Sequence, residues 1–371
     1  MLVFRNILKE KIEYPIENIC DLDKTLFFDI ETTGFSRKHC KVYLIGCMYY
    51  MSGSYHCIQW FAENFNDEAN VLMAFYKFIK GYNTLIHFNG NSFDIPFVKA
   101  RGLEYNIDFD FDKYKSIDLY KEVYPIRKIF KLENNKQKTF EKFLEIKRDD
   151  PFSGGDLIHV FKQYVESKDD KLILVLLLHN KEDVCNMGKL CSLLSYSDIK
   201  NHKYSNVRFI QRDFNSLDNN THSEVQIKAK LTNSVLKPVS FSKDNIYIIA
   251  NEDELNVSIM IQYGTLRLFF DNYSDYYYLP EEDRAIHKSV SSFVDPKHRV
   301  KANSKNCYDK VTGAFLPYFR DDLDVLKIEK NDKSGYIRLE DLNSKNANQY
   351  LDMVIDSILE ISTTPERRGL L

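Results

Sequence analysis

The chain has 371 residues and a net charge of -3, which is too long for one average domain and too balanced in charge to announce a nucleic-acid or membrane partner. With 44% hydrophobic and 28% charged residues and only 13 Gly and 9 Pro, it is neither collagenous nor wholly disordered. Its seven cysteines form no C-x-x-C pair and sit mostly in apolar runs, which excludes a disulfide framework or zinc site and favours a reducing cytoplasm. Met1–Lys11 holds no apolar core of signal-peptide length, and the longest apolar run, Leu172–Leu178, is too short to span a bilayer, so a soluble cytoplasmic protein is expected.

In chain order, residues 1–22 are expected to be an N-terminal extension. Leu26–Ile30, Val42–Tyr50 and Tyr55–Phe61 are β-branched or aromatic runs separated by turns and predict three successive antiparallel strands. Asn66 offers an N-cap, and Val71, Leu72, Phe75, Phe78 and Ile79 repeat at helical spacing until Gly81. Thr84–Phe88 predicts a fourth strand, followed by a turn at Asn89-Gly90-Asn91 and a short helix from Asp94. A fifth strand follows at Lys115–Leu119, then helices over Lys138–Glu145, Asp156–Glu166 and Asp170–Leu194. This first domain spans 23–200. Residues 201–224, polar and without periodicity, read as a linker. Beyond it, Val225–Leu231, Val239–Phe241, Ile246–Ala250, Val257–Gln262 and Thr265–Phe270 predict short strands, and Asn346–Leu359 a closing helix, so 225–371 reads as a smaller β-rich α+β domain.

Three acidic motifs stand at the ends of these elements. Strand alternation puts Asp29 and Glu31 on one face, and Gly34 lets the chain turn away; hard divalent cations require such paired carboxylates, although an isolated D-x-E is equally a strand end with solvated acids. Asp94 follows the Asn89 turn at a helix start, where the plain reading is an N-cap. His179 and Asp183, four apart on the longest helix, share one face, which also suits a simple surface pair.

Together, Asp29-Ile-Glu31, Asn89 to Asp94, and His179 to Asp183 resemble the three motifs of the DEDD (DnaQ-like) 3'-to-5' exonuclease superfamily over residues 22–195. The resemblance implies a ribonuclease H-like mixed sheet flanked by helices. Within the superfamily the chain is most similar to the YprB-like exonucleases, found beside a DExH helicase in many Gram-positive bacteria. The residues that carry this are Phe28-Asp29-Ile-Glu31-Thr-Thr-Gly34, Phe88-Asn89-Gly90-Asn-Ser-Phe-Asp94-Ile-Pro96-Phe97 with Arg101, Lys138-Thr139-Phe140-Glu141, Ser153-Gly154 and His179-Asn180-x-x-Asp183-Val184. His179 stands four residues before Asp183, the offset that family B polymerase proofreading domains use with Tyr, whereas most His-type members have one residue more. The C-terminal part reads as β-rich where the family often carries helical repeats.

The resemblance implies a two-metal-ion mechanism with Mg2+ or Mn2+. Asp29 would bridge both ions, Glu31 and Asp183 would complete the first, Asp94 would hold the second largely through water, and His179 would accept the proton of the attacking water. Thr32 and Thr33 would seat the 3'-terminal nucleotide and Asn89 would orient the scissile strand, while Asp118 reads as a cap and is left out of the site. In the second domain, Arg284–Lys310 holds seven Lys or Arg, among them Lys297, Arg299 and Lys301, against two Asp, a local surplus suited to phosphates or to a solvated face. The expected function is 3'-to-5' hydrolysis of nucleic acid, DNA favoured, in repair or processing, on single-stranded or recessed ends and with a DExH helicase as a candidate partner. An exoribonuclease, a proofreading subunit and a catalytically inactive binding module remain as alternatives.

Overall fold

A computed structural model describes residues 1–9, 11–215, 221–320 and 323–359. The chain divides into two compact units, Met1–Asn201 with Asn233–Lys237, and His202–Thr232 with Pro238–Leu371.

The first unit is built on six strands, β1 (Leu2–Leu8), β2 (Thr25–Thr32), β3 (Val42–Met51), β4 (Ser54–Phe61), β5 (Thr84–His87) and β6 (Lys115–Asp118), in the spatial order β1-β4-β3-β2-β5-β6. The first four pair antiparallel, and β5 and β6 continue the sheet parallel to β2. The expected N-terminal extension therefore contributes an edge strand: Leu2–Leu8 pairs along the whole of β4 and satisfies an edge that would otherwise be open. Its half-exposed pattern gives little periodicity to read, since only one face is covered.

Among the described residues of this unit, α1 (Glu68–Ile79) lies between β4 and β5, α2 (Asp94–Glu104) between β5 and β6, and α3 (Leu119–Val123), α4 (Gln137–Phe143), α5 (Gly154–Ser167), α6 (Asp170–Leu190) and α7 (Leu194–Lys200) follow β6. α1 buries Val71, Leu72, Phe75 and Ile79, the stripe that its spacing predicts. Phe75 lies 5.5 Å from Phe28 of β2. Each such buried Phe or Leu contributes roughly 1.5–3 kcal/mol. Asp29, the next residue on β2, points to the opposite face and meets α6 through Asn180. Consecutive residues of one strand thus serve the hydrophobic core and the acidic face. The long helix expected over Asp170–Leu194 ends at Leu190, and a single 3-10 turn leads into α7.

The second unit is mostly β. Strands β7 (Tyr204–Asn215), β8 (Thr221–Lys243, of which Asn233–Lys237 belong to the first unit) and β9 (Ile246–Met260) form one sheet in which β7 and β8 pair antiparallel. A second contains β10 (Gln262–Phe269). Strands β11 (Tyr276–Leu279), β12 (Arg284–His287) and β13 (Val300–Lys301) make another, and β14 (Tyr308–Tyr318) and β15 (Gly335–Arg338) pair beside β10. An amphipathic helix, α8 (Ala347–Ile358), follows. Two expectations change here. Residues 204–215, read as part of a linker, form β7, whose mostly exposed side chains hide the strand signal. Asn219 and Asn220, also assigned to that linker, lie outside the described residues. Val225–Leu231 and Val239–Phe241 are parts of one strand, β8, because Ala229, Leu231, Val235 and Val239 keep the period-2 burial through the polar stretch between them. Ile246–Ala250 and most of Val257–Gln262 likewise join in β9, with Glu252 at φ 51 marking the interruption. The architecture is the expected one at the level of class: a mixed sheet flanked by helices, followed by a smaller β-rich part. Among the described residues no helix is long and apolar enough to cross a membrane.

Candidate active site

The acidic motifs meet in a groove of about 460 Å3 lined by Asp29, Glu31, Asn89, Asp94, His179 and Asp183, and also by Lys136, Lys138 and Gly154. β2 delivers Asp29 and Glu31, the start of α2 delivers Asp94, and α6 delivers His179 and Asp183.

Each carboxylate is held by a specific contact. Asn180 Nδ2 donates to Asp29 Oδ2 at 3.1 Å, and Asn180 Oδ1 accepts from Gln59 Nε2 at 3.0 Å. Asp29, Gly46 and Gln59 face one another across β2, β3 and β4, and Asn180 lies over that row. Only glycine fits in its middle, because a Cβ on Gly46 would stand 2.0 Å from Asn180 Oδ1. Asp94 is the first residue of α2 and does not cap it; its Oδ1 accepts the Ile30 N–H at 3.1 Å. Asp183 Oδ1 takes Arg148 at 2.6 Å, and its Oδ2 lies 3.1 Å from His179 Nε2. Asp118 accepts the N–H groups of Lys121, Asn89 and Asn91, so it caps α3 and pins the loop that carries Asn89.

Crowding shapes the charges. Burial, then the charges of Asp94, Asp183 and Glu31, push the Asp29 carboxyl well above its ordinary range. Burial raises Glu31 to about 8 despite the opposing pull of His179, and raises Asp94 to about 7 against the Ile30 hydrogen bond. Asp183 goes the other way: burial works to raise it, but His179 and Arg148 outweigh burial and hold it low. For His179, burial alone would lower the pKa; the Asp183 hydrogen bond and the charges of Glu31, Asp183 and Asp150 reverse this and raise it to about 9.

These residues fit a hard divalent cation. Ligand atoms of Glu31, His179 and Asp183 lie within 4.8 Å of one another, and Glu31 Oε1 is buried with no hydrogen-bond partner. A buried orphan oxygen in a cluster of like charges is costly unless a cation completes it.

The remaining expected residues are placed as follows. Thr32 Oγ1 donates to Gly34 O. Thr33 is committed within the turn: its N–H donates to Lys41 O and its hydroxyl accepts the Lys41 N–H. Asn89 adopts φ 63, and its side chain lines the groove. In the second unit, Arg299 donates to Ser291 O and lies over the Tyr277 ring at 5.0 Å. Arg284 and Lys310 pair with Asp309 and Asp283, whereas Lys297, Lys301 and Lys305 make no ion pair among the described residues.

Sequence reasoning missed Gln59, Gly46, Arg148 and Asp150, and assigned Asn180 no role. A glycine inside the apolar strand Val42–Tyr50 was the available sign of a close approach. Nothing local marks Arg148 or Asp150, because their partners are distant in sequence. Phe35 was also missed; it is 82% exposed at the groove and packs edge-to-face on Phe93 at 6.3 Å.

A family model of the RNase_H superfamily, RNase_H_2, matches residues 26–195, the span that carries the acidic groove and the sheet apart from its edge strand β1. The chain has a ribonuclease H-like fold. Similar solved structures include the family B DNA polymerase from the hyperthermophilic archaeon Pyrobaculum calidifontis, at 17% identity and TM-score 0.38 over 47% of this chain and 25% of that one. The present chain thus spans a quarter of the polymerase's length. The E. coli ExoI–ssDNA complex in its zinc-bound form matches at 12% identity and TM-score 0.28, over 93% of this chain and 74% of that one. E. coli exonuclease I with a 5cy-dT13 oligonucleotide matches at 12% identity and TM-score 0.27, over 93% and 75%. No curated protein sequence matches the chain significantly.

Proposed function

We propose that the chain is a metal-dependent 3'-to-5' exonuclease that hydrolyses phosphodiester bonds, DNA by preference, and that Asp29, Glu31, Asp94 and Asp183 hold two Mg2+ or Mn2+ ions. The observation that carries the reading is the convergence of four carboxylates from three separate segments on one open groove, with a buried oxygen of Glu31 left without a hydrogen bond. Bound divalent ions supply an activated water and neutralise the charge that builds on the phosphate. Asn180 aims Asp29, the Ile30 amide aims Asp94, and Arg148 aims Asp183. His179 presents Nε2 toward Glu31 and Asp183, whose charges raise its pKa; cations held by those carboxylates would offset that rise, and the neutral ring would then serve as the proton acceptor for the attacking water. Thr32 contacts the terminal nucleotide, Asn89 orients the scissile strand, and exposed Phe35 offers a face for a base. Thr33 acts through its turn, since its own polar groups are bonded. Lys297, Arg299 and Lys301 bind the strand's phosphates, and a DExH helicase is the partner class in a cytoplasmic repair or processing role.

The test incubates purified protein with 5'-labelled DNA and RNA single strands in Mg2+, Mn2+ or EDTA. Stepwise shortening from the 3' end with metal, none in EDTA, and none with Asp29→Ala is expected. Wild-type turnover by Asp29→Ala would overturn the site, and preference for the RNA strand would convert the reading to an exoribonuclease.

A further inference from the structure

Three carboxylates flank the His179 ring, two at Nε2 and one at Nδ1, and only the Nε2 side belongs to the groove. Nε2 faces Glu31 Oε1 at 3.6 Å and Asp183 Oδ2 at 3.1 Å, both groove-lining residues. Nδ1 faces Asp150 Oδ2 at 2.7 Å. The Asp150 side chain is 1% exposed and does not line the groove, so it cannot touch a strand bound there. We propose that Asp150, presented by the loop between α4 and α5, is the positioning residue for His179: it accepts the Nδ1–H, fixes the ring plane, and leaves Nε2 as the nitrogen that exchanges protons in the groove. This rests on the reading of His179 as proton acceptor.

Three further contacts show that Asp150 is itself held for this purpose. Its Oδ2 takes Lys138 Nζ at 2.7 Å and Arg148 at 3.2 Å, and its Oδ1 accepts the Phe152 N–H at 3.1 Å. Glu182, on α6 between Asn180 and Asp183, accepts the backbone N–H groups of Asp149 and Asp150 at 2.8 and 3.0 Å. The loop is therefore clamped to the same turn of α6 that carries His179 and Asp183. Arg148 spans the arrangement, reaching Asp183 at 2.6 Å and Glu141 at 3.1 Å. A histidine whose second nitrogen is bonded to a buried carboxylate has one tautomer and one orientation available. A ring without that bond can rotate and present carbon to the groove.

The test uses the full chain with Asp150→Ala, Asp150→Asn, His179→Ala and the Asp150→Ala/His179→Ala double variant, each checked for folding by circular dichroism. Asp150→Ala is expected to lower kcat by about 10- to 100-fold with KM unchanged, below the roughly 10²- to 10⁴-fold contribution of a general base. Asp150→Asn, which keeps the shape, is expected to fall between it and wild type, and it carries the test if the alanine variant fails to fold. The double variant should be no slower than His179→Ala, because a residue acting through His179 has nothing left to position. Independently of activity, the exchange-protected ring N–H proton of His179 should be seen by NMR in the metal-free wild type and lost in Asp150→Ala. An unchanged kcat in Asp150→Ala, or a double variant slowed by the product of the single effects, overturns the proposal while leaving His179 as the acceptor. Full activity of His179→Ala overturns the acceptor reading and the positioning role with it.

Discussion

His179 and His87 show how the pKa of the same side chain is shifted in opposite directions by what surrounds it. His179 lies among Glu31, Asp150 and Asp183, and after burial, which opposes it, the Asp183 hydrogen bond and these charges raise its pKa to about 9. Replacing it by Ala is expected to slow hydrolysis by roughly 10² to 10⁴ while sparing strand affinity, read as kcat against Kd. His179→Tyr should keep part of the rate if the four-residue offset to Asp183 places a phenol as it does in Tyr-type proofreading sites. His87 is 1% exposed at the end of β5; Nδ1 accepts the Gly90 N–H and Nε2 bonds to Ser116 Oγ, so the ring is neutral. Burial lowers its pKa to about 4, with Asp118 opposing. The unfolded chain, with its histidine near 6.5, binds the proton more readily. Stability from His87 is therefore present above about pH 6.5 and lost as pH falls toward about 4. The measurement is the urea midpoint of wild type minus that of His87→Asn across this window, a difference in which the opposing titration of the acidic cluster cancels. A difference flat with pH would show that the fold does not lower the His87 pKa.

At the scale of elements, the site depends on how closely α6 approaches the sheet. Gly46 allows that approach, with Asn180 of α6 bridging Asp29 and Gln59 over it. Gly46→Ala should cost about 1–3 kcal/mol in denaturant unfolding, because the methyl must displace a side chain that is 0% exposed in a packed interior. The same shift would loosen Asp29, so metal affinity should fall together with stability; a variant as stable as wild type would show that α6 sits farther from β3. This contact also locates the limit of sequence reading. The Val71–Ile79 stripe of α1 and the Asp29-x-Glu31 alternation of β2 follow from local periods and were legible. The Asp29-Gly46-Gln59 row was not, since strand register brings those residues together from three separate strands.

On the scale of the whole molecule, a chain near neutral overall combines an acidic groove in one unit with a cationic segment in the other. Carboxylates repel a phosphate backbone until cations neutralise them, so strand affinity needs a separate positive surface. Within the second unit, Arg299 is engaged by Ser291 and Tyr277, while Lys297, Lys301 and Lys305 are exposed. Changing these three lysines to Ala should lower the salt slope of log K for a single strand by about 0.7 per lost contact, with turnover at saturation unchanged. An unaltered slope in affinity titrations across a salt series would mean that the segment is only a solvated face.

Residues adjacent in sequence and alternating or recurring along one element were enough to set the class of fold, the order of the strands and longer helices of residues 23–200, though not α3 or the break before α7, and the acidic groups of the three motifs. Their chemistry depends on side-chain type and local period, which a sequence carries directly. Tertiary structure alone decided that Leu2–Leu8 completes the sheet, that residues 204–215 are strand and not linker, and that Arg148 and Asp150 stand behind Asp183 and His179. Each of these is a pairing with a partner at least a dozen residues away, or an exposed strand whose pattern is blank, and the energy that selects it exists only once the chain has closed.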